Sequence, residues 1–321
     1  MNTIPLTFNE HQIKMNILGG LVNNDSSTLD VSVILLNSMS DLLKPQIFDS
    51  LIQCNFRSIV SIEHNRENAN IEDLAKKYPL IKFLIPLEES SEGQLINLAM
   101  SEVDSTYVLV LRDTIQFSKN LLPSNLAERL IKSNAYCIVP RLLDSGKNPA
   151  YGIFTPGNDG KKFAINESST VTDGMKTIYP PDFIALYNRE KFISLGGYDW
   201  TIKSPYWQNL DLAIRSWLWG EETLFSTTLQ FTYLSDFSVP DKTVNLDYIR
   251  YYLKNELPKL KMETGIIKKS SFFVFLNHSS CGIMEAKRQF NEARKWVQKN
   301  KYRFKKDLTL LLSEWGVTYE K

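Results

Sequence analysis

Short apolar runs rich in β-branched residues recur about every 25 residues along the first half of the chain. They read VSVILL (31–36), SIVSI (58–62), IKFLI (81–85), YVLVL (107–111) and YCIVP (136–140). Segments with helical spacing of apolar residues lie between them, such as Phe48, Leu51 and Ile52 after Pro45. This alternation predicts an α/β fold with a mostly parallel sheet and helices on both faces. Ligands of such sheets bind outside the carboxyl ends of the strands.

Polar side chains follow these predicted strands. Asn37 comes after the first run, Glu63 after the second, and Arg112 and Asp113 after the fourth. A dinucleotide-binding turn would need glycines after the first strand, but LLNSMSD contains none, and no P-loop is present. The sequence therefore predicts a polar ligand site in which no glycine loop cradles phosphates.

Composition limits the class of protein. Hydrophobic residues make up 43% of the 321 residues and charged residues 23%, which is typical of globular proteins. No apolar run approaches the roughly 20 residues of a membrane span, and MNTIPLTFNEHQ has no signal-peptide features. The three cysteines form no CxxC pair, so we expect a cytoplasmic protein without a structural metal.

Charge is unevenly distributed. The net charge of +1 argues against a nucleic-acid binder. Residues 250–321, however, carry 16 Lys and Arg against 7 Asp and Glu. A solvated basic face is the expected interpretation, and peripheral contact with the anionic inner face of a membrane, or with an acidic glycan, is the alternative.

Three regions are predicted: an N-terminal extension (1–29), the α/β domain (30–235) and a helical C-terminal lobe (236–321). Within the second, residues 141–182 are rich in Gly, Asn, Asp, Ser and Pro and lose periodicity. We expect this excursion to run irregularly over the ligand-binding edge of the sheet.

The most distinctive motif is GGYD (196–199), followed by an amphipathic helix that reads YW..LDL.IR.W. The glycines can serve a tight turn, and Asp211 with Arg215 can be an ordinary i,i+4 pair. The pattern nevertheless resembles the acceptor-side signature of family 2 glycosyltransferases of the GT-A fold, written GG[FY]D...ED.DL..R. In the same layout, VSVILL resembles that family's first nucleotide-binding strand, and YVLVLRDT stands where it has Y.L.LD.D.

The resemblance implies a nucleotide-sugar donor, with a UDP- or GDP-sugar expected, and a carbohydrate or lipid-linked acceptor. It places seven residues at the donor: Asn37, Glu63, Asn97, Arg112, Asp113, Gly196 and Gly197. It places five on the acceptor side: Asp199, Trp207, Gln208, Asn209 and Arg215.

Two departures from the family bear on the chemistry. The metal-binding DxD positions read Arg112, Asp113 and Thr114, which makes a divalent cation doubtful; if one binds, Asp113 and His278 are the expected ligands. The ED pair that supplies the general base reads Gln208 and Asn209, and amides cannot accept a proton.

Another carboxylate must therefore serve as base. Asp211 is the predicted catalytic residue, with Asp173 or Asp182 of the excursion as alternatives.

Three interpretations remain open at this point. The first is an inverting, metal-independent transferase in which the Arg112 guanidinium stabilises the diphosphate. The second is a catalytically inactive GT-A protein that binds a nucleotide sugar or a glycan. The third is an unrelated α/β domain. A plain ion pair with an acidic neighbour such as Glu88 is the alternative role for Arg112.

Overall fold

An eight-stranded sheet forms the centre of the protein, as a computed structural model shows it. The structure describes residues 13–21, 29–37, 44–63, 71–117, 120–160, 162–235, 239–279 and 282–315. The strands are β1 (Met15–Gly19), β2 (Val31–Leu36), β3 (Ile59–Ile62), β4 (Ile81–Pro86), β5 (Tyr107–Arg112), β6 (Cys137–Leu143), β7 (Ile153–Asp159), β8 (Lys162–Ser168), β9 (Ala185–Asn188), β10 (Thr223–Thr232), β11 (Lys259–Lys261) and β12 (Thr264–Ile266).

Helices connect and cover these strands. They are α1 (Lys44–Ile52), α2 (Ile71–Lys77), α3 (Glu92–Ser101), α4 (Ser124–Lys132), α5 (Arg189–Leu195), α6 (Pro205–Leu218), α7 (Leu246–Tyr251), α8 (Ser271–His278), α9 (Ile283–Lys299) and α10 (Leu308–Glu314). A 3₁₀ turn spans Pro181–Phe183, and a π-helical turn, Tyr252–Glu256, continues α7.

The sheet order is β1-β4-β3-β2-β5-β9-β6-β10. Strands β4, β3, β2 and β5 are parallel, as are β6 and β10. Strand β9 runs antiparallel between β5 and β6, and β1 runs antiparallel to β4 at the edge. The predicted mostly parallel sheet is confirmed, and β1 lies within the stretch that we expected to be only an N-terminal extension.

Both faces of the sheet are buried, which explains why the strands are apolar without alternation. In β2, Val33 and Leu35 pack towards one hydrophobic cluster with α1 and α4, while Ile34 and Leu36 pack towards another with α3 and α5. Helix α6 connects this sheet to a third cluster. Its Leu212 faces the sheet, whereas Ile214 and its neighbours Leu210 and Trp217 pack against α7, α9 and α10.

The excursion is more regular than the sequence indicates. Strands β7 and β8 pair over seven residues as an antiparallel hairpin. Pro156 and Gly157 interrupt the apolar pattern of β7, and a two-stranded hairpin tolerates them because its strands each have one free edge. In the C-terminal lobe, predicted to be helical, the π-helical turn ends at Glu256, before Pro258, and Leu260 lies in β11.

Candidate active site

The ends of β2 and β3 carry a buried polar cluster. Asn37 Nδ2 lies 3.0 Å from Glu63 Oε1 and also donates to Ser61 Oγ and the carbonyl of Ile62. Lys44 Nζ lies 2.5 Å from Glu63 Oε2. Glu63 is only 1% exposed. The two predicted donor residues therefore lie together as expected, but both oxygens of Glu63 contact protein groups, and a ligand would have to displace one of them.

Arg112 stands at the end of β5, opposite Leu36 in the register. Its Nη2 lies 2.6 Å from Glu92 Oε2, and its Nε donates to the carbonyl of Asp182 at 3.0 Å. The acidic partner is thus Glu92, at the start of α3, and not Glu88. Asp113 follows Arg112 and is buried. The Arg112 side chain is 14% exposed, so part of it remains accessible.

A cavity of about 490 Å³, called here the first cavity, opens where β5 ends. Its walls come from β5, the 3₁₀ turn, the start of α6 and the end of β10. Arg112, Asp182, Asn209 and Tyr233 are among the polar side chains that line it. This is the carboxyl edge of the parallel strands, where the fold class predicts a ligand.

The Asp182 carboxylate is held by specific contacts. The backbone of Asp182 has φ 51° and that of Phe183 has φ 64°, conformations that cost energy in non-glycine residues. Tyr233 donates its hydroxyl proton to Asp182 Oδ2 at 2.6 Å. Burial and the nearby Asp182 charge raise the pKa of Tyr233 well above its usual value, so this hydroxyl keeps its proton. Asp182 is thus a fixed carboxylate on the wall of the first cavity.

Asp173, the other alternative, lies elsewhere. Its Oδ1 accepts hydrogen bonds from the backbone of Thr227 at 2.7 Å and from Ser226 Oγ at 3.0 Å. These residues belong to the irregular part of β10. Asp173 therefore supports a strand and does not line the first cavity.

The GGYD motif forms a structural joint. Gly196 (φ 93°) ends α5 in the left-handed conformation, and Gly197 (φ 62°) follows in the same region. The carbonyl of Gly197 accepts a hydrogen bond from Arg215. Asn97 exchanges two 2.8 Å bonds with the backbone of Tyr198. Asn97 and both glycines were predicted to lie near the donor, but the structure places them in contacts that join α3, α5 and α6.

Asp211 belongs to a buried charge cluster formed by Asp199, Asp211, Arg215, Lys254 and Asn255. Its Oδ2 lies 3.2 Å from Arg215 Nη1, and its Oδ1 lies 2.7 Å from Asn255 Nδ2. Lys254 Nζ lies 3.4 Å from Asp211 and 2.6 Å from Asp199. Burial opposes ionisation of Asp199, but the Lys254 charge outweighs it and holds the pKa of Asp199 below its usual value.

This placement corrects the role expected for Asp211. A general base must reach the proton that it abstracts. Asp211 is 0% exposed and does not line the first cavity. Its carboxylate stabilises the junction between α6 and the C-terminal lobe, and the same cluster contains Asp199 and Arg215 from the predicted acceptor side.

Gln208 also has a structural role. Its Oε1 accepts the backbone N–H of Gly93 at 2.9 Å, and its Nε2 donates to Ser91 Oγ at 2.8 Å and to the carbonyl of Asp199 at 2.9 Å. Two of these three partners, Ser91 and Gly93, lie where α3 begins. Gln208 therefore binds the free N-terminal end of α3, which explains an amide at this position.

Asn209 and Trp207 differ in exposure to the first cavity. Asn209 lines it and donates to the carbonyl of Pro180 at 2.6 Å, which fixes the start of the 3₁₀ turn. Trp207 is buried and donates Nε1–H to the carbonyl of Thr243 at 2.9 Å. Of the five predicted acceptor-side residues, Asn209 is thus the one on the cavity wall.

The residues at the DxD position do not fit a divalent cation. Such an ion needs several converging oxygen ligands, but these positions supply one carboxylate, that of Asp113, together with the cationic Arg112. No group of three or more His, Cys, Asp or Glu side chains converges among the described residues. The side chain of His278, the other expected ligand, lies outside them.

Sequence reasoning missed several residues of the site. Glu92 and Tyr233 line the first cavity, and Lys254 completes the buried charge cluster. Lys254 lies 43 residues beyond Asp211 and carries no local signal. Across the described part of the chain, no helix is both long and apolar enough to span a bilayer.

Solved structures resemble this chain in fold. The sequence itself matches no protein-family model and no curated protein. GalNAc-T7, whose crystal structure contains UDP, GalNAc and Mn²⁺, aligns with 88% of this chain at a TM-score of 0.57 and 14% identity, and the alignment covers 59% of the GalNAc-T7 chain. TarS of S. aureus (residues 1–349) aligns with 84% of this chain and 72% of its own at a TM-score of 0.50 and 11% identity. These neighbours are glycosyltransferases of the GT-A type, and the chain therefore has the GT-A fold.

Proposed function

We propose that the protein is a glycosyltransferase that transfers a sugar from a UDP- or GDP-sugar to a carbohydrate or lipid-linked acceptor, and that it is related to family 2. The observation that carries this proposal is the first cavity, where Arg112 and Asp182 lie together at the carboxyl edge of a GT-A sheet. The presence of UDP and GalNAc in the GalNAc-T7 structure supports a nucleotide-sugar donor for this fold.

Each side chain has a chemical role in the proposed inverting reaction. The Asp182 carboxylate takes the proton of an acceptor hydroxyl, whose oxygen attacks the anomeric carbon. The bond between that carbon and the diphosphate oxygen breaks, and the nucleoside diphosphate leaves with the electron pair. The Arg112 guanidinium donates to the phosphate oxygens as their charge develops. No metal takes part in this proposal, because the residues at the DxD position supply a fixed positive charge.

A second candidate function is binding of a nucleotide sugar or a glycan without turnover. It is favoured by Gln208 and Asn209, which are amides that cannot accept a proton and which make hydrogen bonds to the backbone of Gly93 and Pro180. In that case nucleotide or glycan binding is measurable and no transfer occurs with any acceptor.

The Asp182→Asn variant separates the two candidates. Transfer and hydrolysis are assayed over a panel of sugar nucleotides and acceptors, with Asp173→Asn as the matched control because Asp173 lies in the same excursion but outside the cavity. We expect Asp182→Asn to lower the rate about 10²- to 10⁴-fold, the usual contribution of a general base, and Asp173→Asn to keep it. Wild-type protein that binds nucleotide but transfers nothing would favour the binding function.

A further inference from the structure

A second cavity of about 1030 Å³ lies in the C-terminal lobe and has no part in the proposed reaction. The π-helical turn after α7 forms one wall, the tip of the β7–β8 hairpin another, and α8 and α10 the rest. Phe163, Tyr248 and Tyr252 present aromatic rings to it, and Asn158 and Lys268 bring polar groups to its rim.

Glu256 is the carboxylate of this second cavity. It ends the π-helical turn, where Tyr248 and Tyr252 are close enough for its charge to affect their titration. Burial raises the pKa of Glu256 to about 7. A partly buried carboxyl group among aromatic rings lacks the polar surroundings it would have in water, and a ligand rich in hydroxyl groups can supply them.

The second cavity is joined to the first by a row of aromatic rings. Tyr206 lines the first cavity and lies 4.8 Å from Trp207 between ring centroids. Trp207 lies 4.9 Å from Tyr248, and Tyr248 lies 6.1 Å from Tyr252 in the second cavity. Three ring-to-ring contacts therefore separate the two cavities, with the buried Trp207 between them, and a ligand in both would have to be a chain of at least this length.

We propose that the second cavity binds a carbohydrate chain, namely the acceptor glycan whose end enters the first cavity. Sugar rings pack their CH faces on aromatic side chains, while their hydroxyls pair with carboxylate, amide and ammonium groups. The walls of the second cavity carry both aromatic rings and polar groups of these kinds. A lipid chain offers no hydrogen bond to Glu256, Asn158 or Lys268, whereas the hydroxyls of a carbohydrate do, which favours the carbohydrate. The acceptor role rests on the proposed function, whereas carbohydrate binding requires no catalysis.

The test is an array of neutral and acidic oligosaccharides probed with the full chain in the absence of nucleotide. The oligosaccharide that binds best is then titrated by calorimetry into wild type, Tyr252→Ala, Asn158→Ala and the control Tyr302→Ala. Tyr302 is 70% exposed and lies outside both cavities, so its variant should bind like the wild type.

We expect Tyr252→Ala to weaken oligosaccharide binding at least about fivefold, as loss of an aromatic contact does, and Asn158→Ala about two- to fivefold. Asn158 is exposed, so its variant tests the site without a risk to folding. UDP and GDP binding should be the same in all four proteins, which separates this proposal from the proposed function. An array that retains no oligosaccharide, or binding that both variants leave unchanged, would overturn it.

Discussion

At the scale of single residues, partners decide function more than residue types do. Glu63 and Arg112 both lie at strand ends where the sequence predicts ligand contacts. Their ion-pair partners, Lys44 and Glu92, are 19 and 20 residues away in the chain and form no recognisable motif with them. The sequence therefore predicts the edge at which the site lies, but not which side chains are free to contact a ligand.

The buried charge cluster gives the first residue-scale prediction. Removing one partner of a buried ion pair leaves an uncompensated charge, so Asp211→Asn should lower the free energy of unfolding by about 3 to 5 kcal/mol. The control is Asp73→Asn, because Asp73 forms an exposed i,i+3 pair with Lys76 that should contribute less than about 1 kcal/mol. Denaturant unfolding measures both. An Asp211→Asn protein of wild-type stability that has lost transferase activity would restore Asp211 as the catalytic base.

Glu256 gives a pH-dependent prediction. Its pKa of about 7 exceeds the unfolded value of about 4.3, so the folded state binds a proton that the unfolded state loses. Its contribution to stability is complete below about pH 4 and is lost as the pH rises through 7. Glu256→Gln should therefore be more stable than wild type at pH 8, by at most about 4 kcal/mol, and equal to it near pH 4.

Neighbouring groups do not obscure this measurement. The four tyrosines around Glu256 are Tyr206, Tyr248, Tyr251 and Tyr252, and burial raises the pKa of each above 10. The other charged side chains that line the same cavity are Lys259 and Lys268. Unfolding curves of both proteins at pH 4, 6 and 8 give the result, and a stability difference independent of pH would contradict it.

At the scale of elements, prediction succeeded where burial is uniform and failed where it is not. The five apolar runs form β2 to β6, and a hydrophobic cluster covers each of the two faces of the sheet that they build. The β7–β8 hairpin was not predicted, because Pro156 and Gly157 interrupt the apolar pattern of β7. The helix of the GGYD motif was found from its spacing, and its Ile214 and Trp217 pack in the C-terminal lobe. The packing of this helix against the C-terminal lobe could not be predicted, because its partners α7, α9 and α10 lie far along the chain.

The contact between α3 and α6 yields an element-scale prediction. A Cβ on Gly93 would lie 2.5 Å from Gln208 Oε1 and 2.6 Å from Tyr198 Cβ, closer than atoms can pack. Gly93→Ala should push the helices apart and destabilise the protein by about 1 to 3 kcal/mol. Gly282→Ala is the control, since Gly282 lies directly before α9 and nothing lies within 4 Å of its added Cβ. Equal thermal denaturation of the two variants would show that α3 and α6 are not packed as described.

At the scale of the whole molecule, the two cavities lie at opposite ends of one row of aromatic rings. The GT-A sheet provides the first cavity and the C-terminal lobe provides most of the second. The sequence predicts the sheet from local periodicity, but the cavities depend on how the excursion and the lobe fold back onto α6. The boundaries 1–29, 30–235 and 236–321 remain a prediction.

The central claim is that Arg112 binds the diphosphate of a nucleotide without a metal. The measurement is calorimetric titration of UDP and GDP into wild type and Arg112→Ala, each in EDTA and in Mn²⁺, with Arg57→Ala as control. Arg57 forms an exposed pair with Asp104 before β3, away from the carboxyl edge.

We predict that wild type and Arg57→Ala bind with equal affinity in EDTA and in Mn²⁺. Arg112→Ala should lose about 1.5 to 3 kcal/mol of affinity, the contribution of a charge-assisted hydrogen bond, which is about 10- to 150-fold in Kd. Binding that Arg112→Ala leaves unchanged, or that wild type loses in EDTA, would contradict the claim.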